Sequence, residues 1–485
     1  MKNRLILSCL CVIFATSFKN LKAQNMTENI QPPVAKKIPT KLEKFGDVRI
    51  DNYFWLKDRE NPEVIDYLNK ENEYYQKMTA HTQEFQKELF EEMKARIKED
   101  DESVPYLYNG YFYITRFEKG KDYPIYSRKK GSLSAKEEIM FDCNELAKGK
   151  KYFNLSGLSV SADNQFVTYA VDTVGRRIYT LRFKNLFTGE FLADKIENTT
   201  GNSTWANDNK TIFYTKQDAN TLRSDTVLKH ILGTETALDK LIYFEKDDTF
   251  DVAVGKEKSK KYILISSSST LTSEFRTLLA DKPEGKFTIF QKRKRGLEYN
   301  ISHYGDSFYI VTNKDKATNF KLMKTPELAT AMENWQDVLE HREDVLLEDI
   351  DIFKDFLVVS ERSNGLNKIR IMPWSGVGEY YLPFESETYT VHPTSNVDFD
   401  TDILRYAYQS MVTPASIIDF NMRTKDKVVK KEQEVLGGKF DKNNYIEERL
   451  WAKAKDGTIV PISVVYRKGI KKDGTNPLLQ YAYGS

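Results

Sequence analysis

From Tyr111 onward one pattern of apolar and polar positions recurs. A short run rich in β-branched and aromatic residues begins at Tyr111 (YFYITRF), Phe166 (FVTYAV), Ile212 (IFYTK), Tyr262 (YILISSS), Phe308 (FYIVTN), Phe356 (FLVVSER) and Leu404 (LRYAYQS). The starts lie 55, 46, 50, 46, 48 and 48 residues apart, each after a turn rich in Asp, Asn or Gly such as SADNQ, ANDNK or HYGDS. A further strand and hairpin follow each run, as at 178–191 and 367–381. Seven such units, of about four short strands each, predict a seven-bladed β-propeller over residues 103–434, because each small sheet can bury its faces only against its neighbours. A large β-sandwich with fortuitous spacing is the competing reading.

Ahead of the repeat the period changes. After a Pro-rich stretch at 31–41, apolar residues from Asn61 fall at helical spacing: Val64, Tyr67 and Leu68, then Phe85, Leu89, Phe90 and Met93. Two helices are predicted over 62–98, with Asn61 as N-cap and Pro62 at the first helical position. Helical spacing then nearly vanishes until Pro326–Leu339. Beyond residue 434 come three strand-like runs, Glu447–Ala454, Thr458–Arg467 after an Asp-Gly turn, and Pro477–Tyr483. Three strands do not make a domain alone, so these read as the opening of another one.

Composition supports a packed, mainly β chain. Of 485 residues 40% are hydrophobic and 13% aromatic, with 28 Tyr and 28 Phe. The first residues, MKNRLILSCLCVIFATSFKNLKA, combine a basic start, an apolar stretch too short to span a bilayer, and a small residue before a scissile bond. They predict a signal peptide over 1–23 cut after Ala23, export to the periplasm, and no stable membrane insertion. Its removal takes four basic residues from the 73, against 71 acidic ones, leaving a net charge of about −2. No electrostatic case for nucleic acid remains.

Only Cys143 stays after cleavage, so no intrachain disulfide forms in the mature chain. His81, His230, His303, His341 and His392 are scattered and read as surface or packing residues, so neither a metal nor a cofactor is expected. The basic run QKRKRG at 291–296 reads as a solvated loop, with a peptide or anion contact as the alternative.

Four separated stretches carry a resemblance: DNYFWLKDRENPEVIDYLNKEN, WANDNKTIFYTKQDANTLRSDTVLKHILGT, ERLWAKAKDGTIVPISVVYRKG and PLLQYAYGS. In this order they resemble the prolyl oligopeptidase family of serine peptidases, from about Val34 to the last residue, and within it oligopeptidase B. The resemblance implies a propeller at 103–434, a helical segment at 24–102 packing on an α/β-hydrolase domain, and the first strands of that domain at 435–485. It implies that Tyr483 donates its hydroxyl to an oxyanion, with Ala482 where the family has Gly. Such a donor is worth about 3 kcal/mol in the transition state. The family's Ser, Asp and His lie past this strand. No Gly-x-Ser-x-Gly occurs in residues 1–485, GLSVS at 157–161 coming nearest. The expectation is therefore a chain that continues beyond Ser485, is catalytically silent without that part, and when complete cleaves short peptides after Lys or Arg, its propeller acting as a size filter. A proline-specific peptidase and a non-catalytic peptide-binding propeller are the alternatives.

Overall fold

The computed structural model describes residues 30–483. The expected signal peptide lies outside them. By its internal contacts the chain divides into one unit up to Arg96 and a second from Ile97 onward.

In the first unit, Thr40–Lys44 and Asp47–Asp51 pair as a hairpin that the Pro-rich stretch did not announce. Helix α1 (Pro62–Thr79) starts as expected: the Asn61 side chain accepts a hydrogen bond from the Glu63 amide at 2.9 Å, and Pro62 needs no donor there. Helix α2 runs Gln83–Ala95. Among the apolar positions of these helices Val64 is buried, whereas Phe85, Phe90 and Met93 are exposed.

The second unit is a ring of antiparallel sheets. Five of them have four or five strands, spanning 101–142, 251–289, 299–339, 345–381 and 389–432. The stretch 154–244 forms instead one seven-stranded sheet. This corrects the expectation of seven separate blades, and the cause is the 15-residue strand Phe191–Trp205. Its first part pairs with Tyr179–Asn185 and its last part with Thr211–Gln217, with the register shifting between Thr199 and Ser203. Gly201 sits in that shift at φ 85°, and a Cβ on the facing Gly157 would come within 2.1 Å of the Gly201 carbonyl oxygen. A local reading of strand signals sees two runs here; continuous pairing makes them one strand.

Each of the seven expected runs lies in a strand with a neighbour on both sides, such as Tyr262–Ser269 or Phe356–Ser363. Both faces of such a strand are covered, which is why they read as almost unbroken apolar runs. Alternation then divides the residues between two seams: Phe356 and Val358 pack toward the sheet at 389–432, while Leu357 and Val359 pack toward the sheet at 299–339. Phe308 and Ile310 against Tyr309 and Val311 repeat the division one sheet earlier. The two halves of the seven-stranded sheet also pack on each other, with Phe183, Trp205 and Tyr214 in one cluster and the Trp205 indole donating to the Ser159 carbonyl at 2.9 Å.

The first and last sheets share no strand. They are joined by polar contacts: Lys431 to Asp101 at 2.7 Å, Lys98 to Glu434 at 2.6 Å, and Arg405, held bidentately by Asp419, to the Pro105 carbonyl at 2.8 Å. Buried polar groups also bridge the apolar seams. His230 is fully buried between Asp239 at 2.7 Å and Asp194 at 2.9 Å. Glu245 takes bonds from Arg293, Tyr243 and Ser267. Arg293 lies at 3.6 Å over the Phe250 ring, so the basic run at 291–296 is not wholly a solvated loop. One of its guanidinium groups belongs to a seam.

Three other expectations change. Pro326–Leu339 is no helix but a short turn, Met332–Asn334, followed by the strand Gln336–Leu339. Its aromatic and amide groups are held locally, the Trp335 indole donating to the Thr330 carbonyl at 2.8 Å. A short helix, α3 (Cys143–Ala147), lies where none was read. After the ring, Tyr445–Lys453 and Ile459–Arg467 form the expected hairpin through Asp456-Gly457. The third run, Pro477–Tyr483, forms no strand, and Leu478, Leu479 and Tyr481 are exposed. Among the described residues no strand offers it a ladder, and apolar sequence alone does not hold an extended segment. The described part thus shows a hairpin and not an α/β-hydrolase sheet.

The Glu245 network yields a prediction. Burial alone would raise its carboxyl, but the Arg293 guanidinium and the Ser267 and Tyr243 hydroxyls outweigh it and hold the pKa at about 2, against 4.5 unperturbed. A depressed carboxylate contributes stability that is complete above pH 4.5 and is lost as the pH falls toward 2, in this case about 3 kcal/mol at most. Urea unfolding should find Glu245→Gln less stable than wild type at pH 6, with the gap narrowing as the pH falls to 3. A gap independent of pH would show that the carboxylate charge is not what the seam uses.

Candidate functional site

Tyr483, the residue singled out for catalysis, is 88% exposed. Cys143 is buried and its thiol is pushed up to about 12 by burial and Asp142, so it is unreactive. Among the described residues no group of three or more His, Cys, Asp or Glu is placed to hold a metal, and no helix is long and apolar enough to cross a membrane. Chemistry-bearing side chains gather elsewhere, at the axis of the ring.

In the sheets at 251–289, 299–339, 345–381 and 389–432 the first strand pairs on one side only and packs against the preceding sheet, whereas the last strands, such as Lys427–Glu432, are largely exposed. The first strands therefore face the axis. Their alternate positions are accessible and mostly polar: Asp251 and Ala253, Asn300, Asp349, Thr390 and His392. One wall is acidic, because Val345–Ile352 presents Glu348, Asp349 and Asp351. Glu348 is paired with Arg362 at 2.6 Å and Asp351 with Lys258 at 2.7 Å. Among the described residues Asp349 accepts from its neighbour's amide alone, that of Ile350 at 2.8 Å. Burial pushes the Asp349 carboxyl up and Asp351 adds like-charge repulsion.

At one end of the axis lies the turn after Asp251–Lys256, with the sequence KEKSKK at 256–261. It reaches well past its own sheet. Lys256 donates to Asn207 at 2.9 Å, and Asn207 donates back to the Lys260 carbonyl at 3.0 Å. The Glu257 carboxylate accepts from the His303 amide at 2.8 Å. Lys258 spans to Asp351 and lies 3.7 Å over the Phe353 ring. Lys260, at φ 61°, places its ammonium 5.1 Å from the Tyr108 ring of the first sheet.

Burial governs the charges here. It brings Lys256 down to about 8, with Lys260 repelling it, and lowers Lys258 against the pull of Asp351. It raises Glu257 to about 7, the His303 amide opposing. His303 is 4% exposed and burial lowers its pKa, favouring the neutral ring. Its Nδ1 lies 3.0 Å from the Ser259 Oγ and its Nε2 lies 2.9 Å from Glu327. Serine, imidazole and carboxylate thus stand in series, the order of an acyl-transfer triad. Glu327 is, however, also bound by Lys261 at 2.8 Å and by the Tyr262 hydroxyl at 3.1 Å, so its charge is spent on neighbours. The series anchors the turn. His303 reads in the sequence as a surface or packing residue and its burial makes it the latter, whereas 256–261 carries no reading of its own there. Five charges in six residues between two apolar runs was the signal.

Sheets arranged radially with their first strands about an axis define a β-propeller. Residues 32–433 match the family model described as "Prolyl oligopeptidase, N-terminal beta-propeller domain". The chain belongs to the prolyl oligopeptidase family of serine peptidases. It is 41% identical to dipeptidyl aminopeptidase BI of Pseudoxanthomonas mexicana, over 100% of this chain and 69% of that protein. It is 34% identical to protease 2 of Moraxella lacunata, over 93% of this chain and 66% of the relative. Oligopeptidase B from Leishmania major superposes with a TM-score of 0.84 at 31% identity, covering 92% of this chain and 66% of that one. The chain thus spans about two thirds of these relatives.

Glu257 supplies the site's prediction. A carboxyl raised from 4.5 to about 7 in the fold adds no cost below pH 4.5. The cost grows as the pH rises and is complete above 7, up to about 3 kcal/mol. Glu257→Gln keeps an acceptor for the His303 amide, so thermal melting should rise relative to wild type at pH 8 and not at pH 5. An equal effect at both pH values would mean that Glu257 ionises freely.

Proposed function

We propose that this chain is the propeller-bearing part of an exported serine oligopeptidase that hydrolyses short peptides after Lys or Arg, the ring serving as size filter. The extent of the likeness carries this reading: the family match runs through the whole ring, and in two relatives above 30% identity about a third of the protein lies outside the matched part. On this reading the seven-stranded sheet is two blades sharing the strand Phe191–Trp205, which gives seven in all. The packing of its two halves on each other supports that count. The hairpin at 445–467 and the run 477–483 are then the first strands of an α/β-hydrolase domain. The serine, its Asp and its His come from sequence after Ser485, and Tyr483 takes its place as oxyanion donor once a nucleophile creates the charge. The leader ends at Ala23 and the mature protein works in the periplasm.

A second reading has a specific observation behind it. The relative at 41% identity is named a dipeptidyl aminopeptidase, so release of dipeptides from a free N-terminus competes with internal cleavage.

The test uses two proteins, the 485-residue chain and a version extended by the downstream reading frame. A fluorophosphonate probe should label a serine stoichiometrically in the extended protein and none in the shorter one, Ser259 included. The extended protein should cleave an N-terminally blocked dibasic fluorogenic peptide. Activity confined to substrates with a free N-terminus would favour the second reading, and activity confined to Pro peptides would refute both. Labelling of the 485-residue chain would place a nucleophile where this reading has none.

A further inference from the structure

The turn at 256–261 does more than connect two strands. It touches the seven-stranded sheet through Asn207, the sheet at 299–339 through His303, the sheet at 345–381 through Asp351 and Phe353, and the first sheet through Tyr108. Its own sheet and the first sheet are not neighbours. The seven-stranded sheet separates them on one side, and three sheets separate them on the other. Two sheets so placed in a ring meet only across the axis. The Lys260 ammonium at the Tyr108 ring therefore lies over the end of the channel.

We propose that the turn at 256–261 is a plug that closes this end of the propeller channel, so that peptides are admitted to the interior only by another route. The inference rests on the peptidase reading above for its consequence, and on the contacts alone for the closure. Three tethers hold the plug. Lys258 is latched to Asp351 and stacked on Phe353. Ser259 is pinned by His303, which Glu327 orients. The Lys260 backbone is held by Asn207 and its side chain reaches Tyr108. Asp251 and Ala253, on the strand that leads into the turn, lie in the channel behind it. A peptide approaching from this end would have to displace Lys258 from a crowded ion pair and Lys260 from an aromatic face. A flexible basic loop without such partners would not obstruct it.

The experiment has a structural arm and a functional arm, both in a background with Cys9 and Cys11 replaced by Ser; Cys143 is buried and does not compete. In the 485-residue chain, Lys260→Cys combined with Tyr108→Cys should be joined by a short bis-maleimide, giving an intramolecular cross-link between the two tryptic peptides, and either variant alone should not. Absence of the cross-link in the folded double variant overturns the plug whatever the protein's activity.

In the extended protein, the cross-linked enzyme should keep kcat/KM for a blocked dibasic peptide within about twofold of its untreated form. A loss of tenfold or more on cross-linking would mean that substrates pass this end, and would overturn the proposal. As a check that does not depend on turnover, an Ala253→Cys probe should react with a bulky maleimide at least fivefold faster after Lys258→Ala and Lys260→Ala, and an unchanged rate would count against closure by these side chains. A parent enzyme with no peptidase activity would sink the proposed function, and the cross-link and the alkylation rate would still decide the plug.

Discussion

The structure depends on one constraint: the sheets inside the row are apolar on both faces, so each of these must be covered twice. Phe356 and Val358 need one neighbour while Leu357 and Val359 need the other. No sheet can stand alone, and a row of them ends in uncovered faces unless it closes. Closure is the one step that the apolar seams do not perform themselves. The first and last sheets share no strand and are joined by Arg405, Lys431 and Lys98 to partners about 300 residues away in sequence. Ion pairs at accessible positions are worth little individually. The covering of faces holds the ring together, and the polar contacts select which edges meet.

Polar groups inside the seams have a different role. His230 between Asp194 and Asp239, and Glu245 among Arg293, Tyr243 and Ser267, are buried groups that tolerate few alternative partners. Removing one partner strands the other in a low-dielectric seam, which costs far more than an exposed pair contributes. The Glu245 group specifies register between neighbouring sheets and the His230 group between the two halves of the seven-stranded one, where apolar contacts alone would tolerate sliding. Closure of the ring then places the first strands around an axis and collects their side chains there. The acidic wall of Val345–Ile352 and the lysine-rich turn at 256–261 come from segments almost a hundred residues apart, and face each other only because intervening sheets bend the chain round.

The run starting at each of Tyr111, Phe166, Ile212, Tyr262, Phe308, Phe356 and Leu404, the N-cap at Asn61, the hairpin through Asp456-Gly457 and the family itself were all legible in the sequence. Each rests on local chemistry: two-sided burial of a central strand, a side-chain cap on a free amide, a turn that needs a positive φ. What the sequence did not reveal was nonlocal. That Phe191–Trp205 serves two sets of neighbours depends on a register shift at Gly201. That Arg293 leaves its basic run for Glu245 depends on a seam, and that Pro477–Tyr483 forms no strand depends on the absence of a ladder among the described residues. That Lys260 meets Tyr108 depends on the whole circumference. Periodicity along a chain reports which faces must be covered, because burial acts on each residue where it stands; only the closed tertiary structure decides what covers them, because the partner is chosen by geometry accumulated over every sheet between.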